Sequence, residues 1–156
     1  MKFVLLTCAT ASETWSEEAQ SLYLKKISHF IPLEIKHLKV KRTARDDREQ
    51  KIRQDSDAIL SEIKTDDWVV LFDERGEVLD SKAFSKKIEK VLNSGQKRAI
   101  FLIGGAFGVD ERVRKRAQTQ VSLSKMVFNH LVAQTVVLEQ LYRSFAILKN
   151  LPYHNE

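Results

Sequence analysis

The chain reads as an α/β protein with a mostly parallel sheet and helices on both faces, on three observations. Short apolar runs of strand length alternate with longer stretches of helical period through the chain. One run, AIFLI at residues 99–103, is apolar without alternation, as strands buried on both faces of a parallel sheet are. Gly104, Gly105 and Gly108 follow it at once, at the carboxyl end of a strand where such sheets carry ligand loops.

The elements follow in order. KFVLL at residues 2–6 predicts a short buried strand, and Thr14 with Glu17 three positions on predicts a capping box. That box opens a helix with Trp15, Ala19, Leu22, Tyr23 and Ile27 on one face. IPLEIKHL alternates Ile31, Leu33 and Ile35 as a strand does. A charge-rich stretch from Arg42 to Arg53 then runs into a helix with Ile52, Ile59, Leu60 and Ile63 at helical spacing. DWVVLF predicts the next strand, ended by DERG, after which Ser81 caps a helix carrying Phe84, Ile88, Val91 and Leu92. Asn93, Ser94 and Gly95 stop it.

The last helix, from about His130 to Leu148, leaves little of its circumference polar. A helix apolar nearly all round must be covered on more than one side. Either it is a central helix of the monomer, or a second copy covers it across a two-fold axis. Glu139 and Arg143 stand at i, i+4 in this otherwise apolar helix and are spaced to pair.

A length of 156 residues is the size of one domain with one core, so residues 1–156 are expected to form a single domain. Hydrophobic residues at 43% and charged residues at 30% fit a soluble globular protein. No apolar run approaches the roughly 20 residues that span a bilayer, and the amino-terminal apolar run is too short for a signal peptide. A cytoplasmic protein with no membrane partner and no metal is expected. Cys8, the single cysteine, reads as a small core residue.

The net charge of +5 is unevenly placed. Residues 97–156 hold nine Lys/Arg against four Asp/Glu, while residues 1–96 hold 17 of each. RVRKR and Lys125 fall in a gap free of carboxylates between Glu111 and Glu139, which suits an anionic partner such as RNA, or equally a solvated basic helix face. The glycine loop lacks the Gly-Lys-Ser/Thr ending of a phosphate-binding P-loop. Its G-G-x-x-G spacing is also not that of a dinucleotide site, which leaves another ligand or a tight turn needing positive φ. The chain closes on NLPYHNE, whose aromatic and imidazole suggest a docked tail, packed for stability or for a function.

FLIGGAFGVD, LSKMVF, LEQLYRSF and a terminal Tyr-His followed by two residues occur in one order. Together they resemble the small SPOUT-class methyltransferases of the RlmH family, over essentially the whole length and most specifically over residues 99–154. That resemblance implies methylation of the ring nitrogen at position 3 of a pseudouridine in large-subunit (23S) ribosomal RNA. It also implies S-adenosyl-L-methionine as cofactor, a homodimer, a C-terminal trefoil knot, and ribosomal RNA in the assembled ribosome as partner. Carried over, the cofactor pocket comprises Phe72, Gly104, Gly105, Leu123, Ser124, Lys125, Met126, Val127 and Phe128. Arg143, Tyr153 and His154 would gather beside the transferred methyl group with His130 nearby, the tail of one subunit helping to bind RNA at a shared site. Read without the resemblance, LSKMVF is a buried strand with Met126 as core filling.

The chain departs from the family pattern at Asn129, where proline is usual, at Gln134, where arginine is usual, and at Asn155, often basic. CATASE also replaces a familiar Gly-Lys after the first strand. Two loss-of-charge positions near the proposed site bear on RNA affinity. Two other functions fit the sequence: a SPOUT methyltransferase acting on transfer RNA, and a ribosome-binding protein without catalysis.

Overall fold

A computed structural model describes residues 1–8, 11–41, 45 and 47–154. Parts of CATASE (Ala9, Thr10), of the charge-rich stretch (42–44 and 46) and Asn155 lie outside the described residues. Five parallel strands form one sheet in the order β2-β1-β4-β3-β5. They are β1 (Lys2–Thr7), β2 (Leu33–His37), β3 (Trp68–Val78), β4 (Arg98–Ile103) and β5 (Thr119–Ser122). The helices between and after them are α1 (Thr14–Ser28), α2 (Arg48–Glu62), α3 (Ser81–Leu92), α4 (Glu111–Arg116) and α5 (His130–Leu148).

Alternate residues of each strand feed two cores on opposite faces, as the two-residue period requires. Phe3, Leu5, Val70, Phe101 and Ile103 pack with α1, α3 and α5. Val4, Leu6, Val69, Leu71, Ile100 and Leu102 pack with α2 and α4. β4 lies between β1 and β3 and is almost wholly buried, which is why its sequence shows no polar alternation. The chain leaves β3 for α3 on one face and β4 for α4 on the other, opening a crevice at their carboxyl ends.

Several expectations are corrected. Glu13, not Thr14, caps α1, with its backbone N–H donating to Ser16 Oγ at 3.3 Å. Glu17 instead accepts from the Ser12 hydroxyl. Asp80, not Ser81, caps α3, its carboxylate accepting from Ala83 N at 2.7 Å, and Ser81 is the first helical residue. DERG does not end β3. The strand changes register between Phe72 and Glu77 and resumes pairing with β5 at Glu77 and Val78. Of the expected buried face of α1, Ile27 is buried but Trp15 and Leu22 are exposed.

The near-continuous apolarity of α5 has its explanation within one chain. Its buried residues, among them Ala133, Val137, Leu138, Leu141 and Phe145, meet the sheet face together with residues of α1 and α3. Phe145 stacks on Phe30 at 5.1 Å between centroids. The apolar circumference therefore does not by itself require a second copy.

Candidate active site

The crevice at the carboxyl ends of β3 and β4 holds a cavity of about 180 Å³ walled by Phe72, Ile103, Leu123, Phe128 and Ala133. It shares Phe72, Ile103, Phe128 and Ala133 with an adjoining cleft of about 670 Å³, lined also by Gly104, Gly105, Phe107, Arg114 and His130. The expected pocket residues Phe72, Gly104, Gly105, Leu123, Ser124, Lys125, Met126, Val127 and Phe128 are thus brought together. LSKMVF is not a strand, and Met126 is not core filling. The segment is a loop with Leu123 and Phe128 packed inward, and Met126 and Val127 are 72% and 92% exposed. Ser124 shapes it, its hydroxyl accepting from Met126 N at 2.9 Å while its carbonyl accepts from Ser122 Oγ.

The glycine loop is built by close approach more than by dihedral freedom. Only Gly108 of the three has positive φ, at +80°. A Cβ on Gly105 would stand 1.8 Å from Asp55 Oδ2, so the missing side chain admits the buried carboxylate of α2. Gly108 N donates to Gly105 O at 2.9 Å, closing the turn. Asp110 then caps α4 and donates its backbone N–H to Ser56 Oγ at 3.0 Å, tying the loop to α2.

His130 opens α5 at the edge of this cleft, held there by Asn129, whose side chain accepts from Leu131 N at 2.8 Å. The departure at Asn129 therefore supplies a helix cap. Burial pushes the His130 imidazole below its ordinary pKa, with Asp55 opposing the shift, so it is neutral near pH 7. The departure at Gln134 does not sit at the pocket surface: that side chain is fully buried against α1, accepting from Gln20 Nε2 at 3.2 Å.

Arg143, Tyr153 and His154 form a second group. Arg143 donates to Glu139 Oε1 through Nε at 3.0 Å and Nη2 at 2.6 Å, and Tyr153 donates to the same oxygen at 3.2 Å. Arg143 Nη1 lies 3.3 Å from His154 Nδ1. Since a guanidinium only donates, Nδ1 is the acceptor of this contact, which leaves Nε2 as the donor side of the ring. The Arg143 guanidinium also lies over the Tyr153 ring at 4.8 Å. Lys26 Nζ stands among the rings of Tyr23, Tyr142 and Tyr153 at 5.8, 5.0 and 5.5 Å. The tail is docked as its composition suggests, with Leu151 N bonded to Ala146 O at 2.8 Å. Burial, then Tyr23 and Glu139, push the Tyr153 phenol upward, so it stays protonated and donates. The hydrogen bond to Glu139 holds Arg143 charged more firmly still.

Within one chain these groups do not meet. Arg143 lies 13 residues along α5 from His130, about 20 Å at 1.5 Å per residue. The expected gathering of His130 with Arg143 and the tail is at a site shared between subunits; within a single copy the helix holds them apart.

A family profile described as "Predicted SPOUT methyltransferase" matches residues 1–154. The chain belongs to the SPOUT methyltransferase family. Among its SPOUT relatives, one named Ribosomal RNA large subunit methyltransferase H from Bdellovibrio bacteriovorus is 59% identical, covering 99% of both chains. A protein of the same name from Christiangramia forsetii is 40% identical over 97% of this chain and 98% of its own. A putative RNA methyltransferase of Arabidopsis thaliana is 46% identical over 73% of this chain and 58% of its own. The all-parallel sheet with helices on both faces is that expected of a SPOUT chain. Among the described residues no helix is long and apolar enough to cross a membrane.

The SPOUT resemblance picked out Arg143, Tyr153 and His154, but sequence reading missed their neighbours. Glu139 was legible as a partner of Arg143 by its i, i+4 spacing, whereas Lys26, Tyr23 and Tyr142 reach the tail only through the packing of α1 on α5. The basic run RVRKR, which suited an anionic partner or a solvated helix face, also makes contacts within the fold. Arg112 pairs with Asp57 and Asp110, Arg114 with Asp73 and Glu111, and Arg116 donates to the carbonyls of Lys64, Thr65 and Asp67. Three of its four cations are engaged within the fold, Arg112 while itself exposed, and Lys115 is exposed with no ion pair among the described residues.

Proposed function

We propose that residues 1–156 form one SPOUT domain, a cytoplasmic S-adenosyl-L-methionine-dependent enzyme that methylates the ring nitrogen at position 3 of a pseudouridine in 23S ribosomal RNA. It acts on the assembled ribosome as a homodimer, with the C-terminal segment in the family's trefoil knot. Large-subunit ribosomal RNA as substrate follows the name shared by the bacterial relatives, and the pseudouridine nitrogen is what the family resemblance implies. The observation that carries the reading is the division of the expected site into two half-sites about 20 Å apart along α5. Each half-site lacks what the other holds. A second copy related by a two-fold axis joins the pocket of one protomer to the tail of its partner.

The pocket residues fit the cofactor. Apolar walls at Phe72, Leu123 and Phe128 suit an adenine, and the loop backbone at residues 123–128 supplies donors and acceptors. The connected cavity and cleft also suit the usual range of about 300–1,000 Å³ for small-molecule sites. Bound there, the cofactor supplies an electrophilic methyl group on a sulfonium, transferred by direct displacement.

The chain's own residues then align and charge-match the nucleophile. The imide nitrogen must lose its proton, which leaves negative charge spread over the two flanking carbonyls of the base. The remaining N–H groups of Arg143 and the Nε2–H of His154 are donors suited to those carbonyls and favour the deprotonated base, while Tyr153, its one O–H given to Glu139, holds the guanidinium in place. His154 is therefore read as a positioning donor. His130, neutral and lining the cleft, is the imidazole able to accept the proton. The apolar walls Phe72, Leu123 and Phe128 limit the access of water to the methyl group on the inner side of the pocket.

The test is methyl transfer from labelled S-adenosyl-L-methionine to assembled ribosomes, naked ribosomal RNA and transfer RNA side by side. Label on pseudouridine of the ribosomal substrate is expected. Label on transfer RNA, or cofactor binding without transfer to any RNA, would overturn the substrate assignment or the activity respectively.

A further inference from the structure

Phe107 stands at the tip of the glycine loop and is 42% exposed, while Val109 two residues on is buried. A phenylalanine serving the core would turn inward with Val109. Helix α2 instead brings two cations against it, the Arg48 guanidinium carbon at 5.6 Å and Lys51 Nζ at 5.8 Å from the ring centroid. The two are three positions apart on α2 and so share a helix face.

Among the described residues, neither Arg48 nor Lys51 makes an ion pair, in contrast to the engaged arginines of α4. Both charges thus remain available to an anion from outside. Arg48 and Phe107 line the same cleft as Gly104, Phe128 and His130, so a strand held at the ring leads directly to the pocket.

We propose that Phe107, Arg48 and Lys51 form a docking element for an unpaired nucleotide beside the one that enters the pocket. The ring takes a base by stacking and the cations take its flanking phosphates. An exposed ring beside free cations is the combination that holds single-stranded nucleic acid without reading sequence. The paired positive charge also disfavours a basic protein surface as occupant. The proposal rests on the reading that the chain acts on RNA, and deepens it by naming where the strand outside the pocket is held.

The full chain, saturated with S-adenosyl-L-methionine, is titrated against a fluorescein-labelled single-stranded RNA oligonucleotide and against a duplex RNA of equal length, by anisotropy at several salt concentrations. Phe107→Leu is expected to weaken single-strand binding about tenfold with an unchanged salt slope, while Phe107→Tyr binds as the parent does. Replacing Arg48 and Lys51 together by glutamine is expected to lower the salt slope by about 1.4, for two single-strand phosphates. Single-strand binding by Phe107→Leu equal to the parent's would overturn the proposal. So would an equal loss for duplex RNA, which offers no unpaired base, or a loss of cofactor affinity, which would make the ring part of the cofactor loop. A salt slope unchanged in the double variant, with weaker binding to whole ribosomes, would point to a protein partner and overturn it as well. The oligonucleotide titration reads this element whether or not methyl transfer occurs, so failure of the proposed reaction is seen separately in the transfer assay.

Discussion

Arg143 Nη2 stands 2.6 Å from Glu139 Oε1, the oxygen that also receives Arg143 Nε and the Tyr153 hydroxyl. One carboxylate thereby fixes both the guanidinium and the tail, leaving Arg143 Nη1 directed at His154. Arg143→Ala is expected to lower kcat for methyl transfer about 100-fold, the scale of losing a donor to developing negative charge, while leaving cofactor affinity unchanged. Equal activity of parent and variant would remove Arg143 from the mechanism.

The tautomer set by Arg143 separates two roles for His154. As a donor through Nε2–H it is partly replaced by the amide of glutamine, so His154→Gln should retain transfer within about tenfold and keep the parent pH profile. A loss of the profile's ascending limb in that variant would instead assign proton removal to His154. The same experiment on His130→Gln is expected to abolish that limb.

His130 also makes stability depend on pH. Its folded pKa lies below the ordinary value of 6.5, so the unfolded chain binds more protons there and stability falls as pH drops below about 6.5. Melting temperature measured from pH 7.5 to pH 5 should decline more steeply for the parent than for His130→Gln. Parallel curves would show that the imidazole is not desolvated by the fold.

Glycine 105 and glycine 95 offer a contrast. A methyl group at Gly105 meets Asp55 at 1.8 Å, so Gly105→Ala should weaken cofactor binding at least tenfold and cost about 1–3 kcal/mol of stability. Gly95, at φ +76° with open space around it, should cost only about 1 kcal/mol as alanine and leave transfer intact. Isothermal titration with the cofactor and urea unfolding distinguish the two.

Asp67 and Arg98 form the buried pair that anchors β4. Arg98 Nε and Nη2 reach Asp67 Oδ1 and Oδ2 at 2.8 and 2.6 Å, and Lys64 N donates at 2.7 Å. Burial would raise the Asp67 carboxyl, but these donors and the positive charge hold it below the ordinary range. Asp67→Ala should cost about 1–3 kcal/mol in urea unfolding, because it removes two charged hydrogen bonds from the part-buried guanidinium and leaves it the Glu62 carbonyl at 3.0 Å and the Glu62 carboxylate at 3.7 Å.

Strong periodicity was legible and local competition was not. Residues 99–103 declared a central strand, and α5 begins and ends where its apolar pattern does, because burial on several sides leaves a continuous signal. Caps slipped by one residue at Thr14 and Ser81, where the neighbouring carboxylates Glu13 and Asp80 hold the cap position instead. The end of β3 was misjudged because Asp73–Gly76 residues resemble a turn, yet pairing with β5 resumes beyond a register shift. β5 itself, TQVS, is too short and polar to announce a strand, being specified by its partner β3. Of the candidate site, the glycine loop and the tail were legible as motifs. Their separation to opposite ends of α5 was not, since it depends on which way the last helix runs.

That separation is tested most directly by mixing two impaired variants at a cofactor concentration that saturates the parent but not Gly105→Ala. Arg143→Ala removes the tail side and Gly105→Ala the pocket side, so a heterodimer formed from both retains one intact composite site. Methyl transfer to ribosomes should reappear on mixing and subunit exchange, approaching half the parent rate per heterodimer. Activity that stays at the level of the separate variants, with exchange shown to be complete, would contradict a site shared between two copies.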